Sequence, residues 1–153
     1  MAIRKIVTEG DPVLRTRTRE IDTSELKGGG LATLVDDMIE TMRSAQGVGL
    51  AAPQIGEGIR LFVAETPDGP IALANAEIVK RSRKTVRDEE GCLSIPGKFD
   101  RVTRAKSVTI RARMISGEPI EFTAHDFFAR VIQHEIDHLD GILFVDRLNG
   151  PEK

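Results

Sequence analysis

A second cysteine is missing from this 153-residue chain, so no internal disulfide can form, and Cys92 is left for packing, metal ligation or nucleophilic chemistry. An excess of either charge is missing too. The chain has 22 Lys and Arg against 24 Asp and Glu, a formal charge of -2, which gives no global electrostatic reason to bind nucleic acid or an anionic membrane. No window approaches the apolar run that a membrane span needs, and residues 1–9 hold only short apolar pieces broken by Arg4 and Lys5. Neither a signal peptide nor an anchor is expected, and the expected address is the cytoplasm. Internal repeats and low-complexity segments are absent. What is present is 40% hydrophobic sequence in a length that suits one core, so residues 1–153 are expected to form a single catalytic domain.

Helical periodicity is clear in two places. Leu31, Leu34, Val35, Met38, Ile39 and Met42 recur every 3.6 residues with Asp36, Asp37 and Glu40 opposite, and methionines at this spacing read as core. Near the end, Thr123 is placed to cap a helix running to about Leu139, with Asp126 three residues on as in a capping box. Phe127, Val131, His134 and His138 share one stripe of that helix, and Phe128, Ile132, Ile136 and Leu139 a neighbouring one, so it is expected to be central and buried. Asp11-Pro12 starts a short helical turn.

Elsewhere the pattern has period two. Ile59, Leu61 and Val63, then residues 71–79, read as strands joined by Pro67-Asp68-Gly69-Pro70. Val108, Ile110, Ala112 and Met114 pair back through Ser116-Gly117-Glu118 onto Ile120 and Phe122. Strands and long helices do not alternate, so the expected class is α+β, mainly antiparallel sheets around a central C-terminal helix. The run Lys80-Arg81-Ser82-Arg83-Lys84, with Arg87 beyond it, is expected to be a solvated loop tip; contact with RNA is the alternative, with no sequence-specific nucleic acid expected.

The chemistry gathers around Gln133-His134-Glu135-Ile136-Asp137-His138. On a helix, His134 and His138 lie one turn apart on one face with Glu135 beside them, the spacing that offers a metal two imidazoles and a carboxylate base. His125, the third histidine, is expected at the surface. Cys92, in Glu90-Gly91-Cys92-Leu93-Ser94, has three readings. It could be a buried small hydrophobe, a nucleophile with His134 as its base, or a third metal ligand. Only the last uses every residue, giving an S/N/N set with a fourth position open to water. Gly47-Val48-Gly49-Leu50-Ala51-Ala52-Pro53-Gln54 fails as a phosphate loop, because no Lys-Ser/Thr pair follows and no strand precedes it, and reads either as a tight connection or as a substrate-lining segment.

Taken together, Gly47–Gln54, Glu90–Ser94 and Gln133–His138 resemble the three signature motifs of the peptide deformylase family in order and separation, and the likeness runs from Asp11 to about Leu148. The resemblance implies a hydrolase that removes the N-formyl group from the initiator methionine of nascent polypeptides and releases formate. It implies Cys92, His134 and His138 as ligands of one divalent metal, Fe2+ physiologically with Zn2+ or Ni2+ as other occupants. It implies Glu135 as proton shuttle, with the Gln54 amide and the Leu93 backbone N–H on the oxyanion. Glu90 is expected to support a ligand histidine. Gly47, Val48, Gly49 and Leu50, with Phe127 and Val131, are expected to bind the substrate, the glycine segment by strand-like pairing and the others around an apolar side chain, with packing in the core as the alternative for Phe127 and Val131. Many bacterial members continue into a basic C-terminal helix that docks on the ribosome. This chain closes at Gly150-Pro151-Glu152-Lys153 without one, so ribosome contact is expected to be transient and its mode is open. A zinc endopeptidase shares H-E-x-x-H and is the alternative enzyme; a non-catalytic metal module is the alternative of another class.

Overall fold

The apolar stripe between residues 31 and 42 forms a helix in the computed structural model, which describes residues 2–148; the closing Gly150-Pro151-Glu152-Lys153 lies outside the described residues. A short helix, α1 (Thr23–Lys27), is fastened at its start by Glu25, whose Oε1 accepts from the Asp22 N–H at 3.3 Å. It precedes α2 (Ala32–Ser44), whose Val35, Met38 and Met42 are buried, as the stripe predicts.

Seven strands follow: β1 (Gly49–Ala51), β2 (Leu61–Thr66), β3 (Gly69–Arg81), β4 (Thr85–Cys92), β5 (Ile95–Ala105), β6 (Ser107–Arg113) and β7 (Pro119–His125). Five form an antiparallel sheet in the order β1-β2-β3-β6-β7, while β4 and β5 pair as a separate hairpin. The helix α3 (Asp126–Leu139) closes the α+β fold. Strand β2 is buried along Leu61–Ala64 rather than alternating, because both sheet faces are covered. Phe62 packs with Leu73, Ile110, Ile132 and Leu139 on the α3 side, and Leu61 and Val63 pack with Met38 and Met42 on the α2 side.

One expectation needs correction, and one element is new. Thr123 does not cap the last helix. It stays in the β7 ladder opposite Thr109, with their hydroxyl oxygens 3.0 Å apart, and the turn into α3 is made at Asp126, whose φ is 54° and whose carboxylate pairs with Lys106 at 3.0 Å. The β4–β5 hairpin was not anticipated, because its inner face is lined partly by charged side chains, Glu90 and Arg104, that pair with one another. Alternation in hydropathy cannot reveal a buried face built from ions.

The far end of α3 is pinned. Buried Arg60 donates from Nη1 to the Leu139 carbonyl at 3.2 Å and to Asp140 Oδ1 at 2.8 Å, and from Nη2 to the Ala76 carbonyl at 3.0 Å. Thr18 Oγ1 donates to the same Leu139 carbonyl at 2.8 Å. A cation at a helix C-terminus satisfies free carbonyls and opposes the helix dipole.

Candidate metal centre

Helical spacing places the His134 and His138 rings on one face of α3 with centroids 4.9 Å apart. The end of β4 brings Cys92 to them, Sγ lying 3.3 Å from His138 Nε2. One ligand atom from each of Cys92, His134 and His138 falls within 4.8 Å of the other two. A thiolate and two imidazoles at this separation suit a transition-metal cation. His138 Nδ1 and Glu135 Oε1 are buried polar atoms with no hydrogen-bond partner among the described residues, so the pocket is not self-satisfied by protein groups. The residues therefore fit the metal that the three motifs imply.

Glu90 decides the tautomer. Its Oε1 accepts from Arg104 Nη2 and from His134 Nδ1, both at 3.0 Å, and its Oε2 accepts from Arg104 Nε at 2.8 Å and Arg130 Nη1 at 2.6 Å. Burial opposes ionisation of Glu90, but hydrogen bonds from Arg104 and His134 outweigh it and hold the carboxyl well below the usual range. An ionised Glu90 only accepts, so the Nδ1 proton of His134 is held toward Glu90 and Nε2 is the ligand position, whose proton a bound metal would displace. Behind it, Arg104 Nη1 donates to Asp137 at 2.6 Å, and Arg147 holds the same carboxylate at 2.9 and 3.2 Å.

The two histidines are differentiated by their surroundings. Burial pulls His134 down, but hydrogen bonding to Cys92 and Glu90 overcomes it and raises the ring to about 10; burial and the neighbouring His134 charge push His138 well below its ordinary value. Burial raises Glu135 to about 7, and the Glu90 charge adds to that, while His134 pulls the other way.

Gln54 is buried and aimed. Its Oε1 accepts from the Ala51 N–H at 2.9 Å, which turns Nε2 toward Ser94 Oγ at 3.2 Å and Cys92 Sγ at 3.7 Å. The small residues beside it have a steric reason. A Cβ on Gly49 would collide with the Glu135 carboxylate, and one on Gly47 would lie 2.8 Å from Leu93 Cδ1. Strand β1 is thus laid against the base, and among the described residues it is an edge strand of its sheet, paired with β2 alone.

The expected substrate side chains are less uniformly placed. Val131 is buried with the α3 core, whereas Val48 is 46% exposed and Phe127 is 63% exposed in the first turn of α3. Leu50 is fully buried on the α2 side, so only its main chain can face a ligand. His125 is exposed, as expected. Sequence reasoning missed Arg104, Arg130 and Asp137, which hold Glu90 and one another, and Ser94, which anchors Gln54. Period-two spacing from Glu90 and Val102 would have placed Arg104 inward once the hairpin was recognised.

Comparison with known proteins extends these motifs to the whole chain. The family model described as Polypeptide deformylase matches residues 3–153. A peptide deformylase of Clostridium botulinum (strain Alaska E43 / Type E3) is 49% identical over 147 residues, covering 96% of this chain and 97% of that one. Among solved structures, a peptide deformylase from Thermotoga maritima superposes with a TM-score of 0.92 at 40% identity, over 97% of this chain and 99% of that one. A Met-Ala-Ser-bound class I type b peptide deformylase from Acinetobacter baumannii gives 0.90 at 33% identity, over 95% and 98%. Since family model, relatives and solved folds agree over nearly every residue that builds the centre, this chain belongs to the polypeptide deformylase family.

Proposed function

We propose a residue-level account of how this chain performs deformylation. The reaction is hydrolysis of the N-formyl group from the initiator methionine of nascent polypeptides, which releases formate and a free amine. The observation that carries the account is the cluster of Cys92, His134 and His138 with buried Glu135 unpartnered beside an edge strand. The chain acts as one catalytic domain, and cytoplasmic residence follows from that substrate. Among the described residues no helix is long and apolar enough to cross a membrane.

Cys92, His134 and His138 hold the metal, which we assign as Fe2+ in the cell, with Zn2+ or Ni2+ as other occupants. When bound, the cation supplies Lewis acidity to water and to the formyl oxygen. Glu135 takes a proton from the attacking water as the new C–O bond forms at the formyl carbon; burial makes its carboxylate a stronger base than an exposed one. The Gln54 amide and the Leu93 N–H donate to the developing oxyanion, and loss of one such donor typically costs about 100-fold or more in rate. As the C–N bond breaks, Glu135 returns the proton to the departing amine.

The peptide adds to the free edge of β1, where Gly47, Val48, Gly49 and the Leu50 main chain can pair with its backbone. Phe127 and Val48 border the methionine side chain from the rim, and Val131 supports them from the core. The Acinetobacter neighbour, bound to a tripeptide beginning with methionine, supports this assignment. Ribosome contact is transient and serves delivery. The test is formate release from formyl-Met-Ala-Ser set against cleavage of the unformylated peptide: formate must appear, and peptide-bond cleavage instead would favour an endopeptidase.

A further inference from the structure

The metal ligands come from two bodies that no strand ladder joins. Cys92 ends β4 in the β4–β5 hairpin, His134 and His138 lie on α3, and among the described residues neither strand of the hairpin pairs with the five-stranded sheet. The separation of thiol and imidazoles is therefore set by side chains that cross between hairpin and helix. Hydrogen bonds fix such a separation more sharply than apolar packing, because they have direction and the hydrophobic effect has none.

Arg130 crosses with three such bonds. It is buried one helical turn before His134, on the same face of α3. Its Nη1 donates to Glu90 Oε2 at 2.6 Å and to the Val102 carbonyl at 2.9 Å, and its Nη2 donates to the Val86 carbonyl at 2.7 Å, so one guanidinium engages both strands of the hairpin. His134 Nδ1 takes the other oxygen of the same carboxylate, Oε1, at 3.0 Å. Two side chains one turn apart thus grip the two oxygens of Glu90, and Cys92 stands two residues farther along that strand. Arg104 has a different part. It lies on β5, so its bonds to Glu90 stay within the hairpin, and it reaches α3 at Asp137. Gln133 ties α3 to Ala105 at the end of β5, with bonds of 3.1 and 2.9 Å.

We propose that Arg130 is a positioning residue of the metal centre: its fork clamps the β4–β5 hairpin to α3 and so sets Cys92 against His134 and His138 before any metal binds. The proposal rests on the reading that these three residues hold the metal. Loss of Arg130 would not orphan Glu90, which keeps Arg104 and His134; what goes is the tie between strand and helix. Lysine separates position from charge. It carries the same charge, but a single ammonium cannot stand at both Nη positions, so it cannot hold the Glu90 carboxylate and the Val86 carbonyl in one fixed geometry.

The test compares the full-length protein with Arg130→Met, Arg130→Lys and a stability control, Leu26→Ala, which truncates the core on the α2 side. Co2+ is titrated anaerobically against a chelator, the thiolate-to-Co2+ absorption band is recorded, and amide hydrogen exchange is followed in the metal-free proteins. Arg130→Met should weaken Co2+ binding by about tenfold to 100-fold and shift or diminish the band. Without metal, residues 85–105 should exchange about tenfold faster in this variant, while β6 and β7 stay within about threefold of the parent. Arg130→Lys should remain about fivefold or more weaker than the parent, and Leu26→Ala should bind Co2+ within about twofold of it despite a lower melting temperature. Co2+ affinity and band unchanged in Arg130→Met, parental affinity in Arg130→Lys, or an equal loss in Leu26→Ala overturns the proposal. If Arg130→Met does not fold, Arg130→Lys decides by the same three readouts. An unaltered protein with no thiolate band contradicts the reading of the metal centre itself; the clamp is then judged by exchange in the metal-free proteins, where unchanged protection of residues 85–105 in the Arg130 variants overturns it.

Discussion

At the scale of single residues, the site depends on two carboxylates in opposite electrostatic settings. Glu90 is held ionised by Arg104, His134 and Arg130, so it can orient a ligand, while Glu135 is buried without a partner on Oε1, so it can carry a proton. Glu135→Gln should retain metal within error of the parent and lower kcat by at least a thousandfold, read by metal analysis and formate release on one preparation; near-parental turnover would remove the proton-shuttle role. Gly49 acts through what it lacks. Because a Cβ there would occupy the space of the Glu135 carboxylate, Gly49→Ala should lower kcat by about 100-fold through displacement of the base, with melting temperature nearly unchanged.

At the scale of elements, α3 supplies two ligands and the base, and its ends determine how accurately it does so. Arg60→Met removes the guanidinium that serves Leu139, Asp140 and Ala76, and should destabilise the protein by about 2 kcal/mol, read as a fall in melting temperature of about 4–8 °C. The N-terminal segment is fastened to α2 through Asp37, which accepts from the Ala2 N–H at 2.7 Å and from Arg4 Nε at 2.9 Å. The Ala2 hydrogen bond, with help from Arg4, lowers the Asp37 carboxyl against the effect of burial. A depressed folded-state value means that this contribution is present above the unfolded value, about 3.9, and is lost as pH falls through the folded one. The difference in melting temperature between parent and Asp37→Asn should therefore hold steady from pH 8 to about 5 and shrink below about pH 4; a constant difference down to pH 2.5 would sever the link.

These elements also show what the sequence could reveal. The α2 stripe and the β6–β7 hairpin were legible because one face of each is apolar, and the histidine pair because helical spacing alone puts both rings on one side. Cys92 could be connected to them only through its motif, since 42 residues separate Cys92 from His134. The β4–β5 hairpin and the Arg104–Glu90–Arg130 cluster were hidden because burial there is achieved by pairing charges. For Phe127, pocket and core were the two readings; at 63% exposed in the first turn of α3 it is not core, because the helix begins at Asp126 rather than soon after Thr123.

At the scale of the molecule, two covered faces of one sheet hold β1 as an edge strand against α3, so that a peptide pairing with β1 is carried past Glu135. The fold thereby joins sheet augmentation to metal chemistry, and the metal is indispensable to the account. Removing it with a chelator should abolish turnover and, because binding stabilises only the folded chain, lower the melting temperature; anaerobic Fe2+ should restore both, and air should erode activity as iron or the Cys92 thiolate is oxidised. The most direct test is formate release from formyl-Met-Ala-Ser by the anaerobically purified protein, measured before chelation, after it and after Fe2+ is returned. The account predicts turnover with one metal per chain, none without metal, and recovery on reloading; formate release at the full rate from metal-free protein, or none from metal-loaded protein, would contradict it.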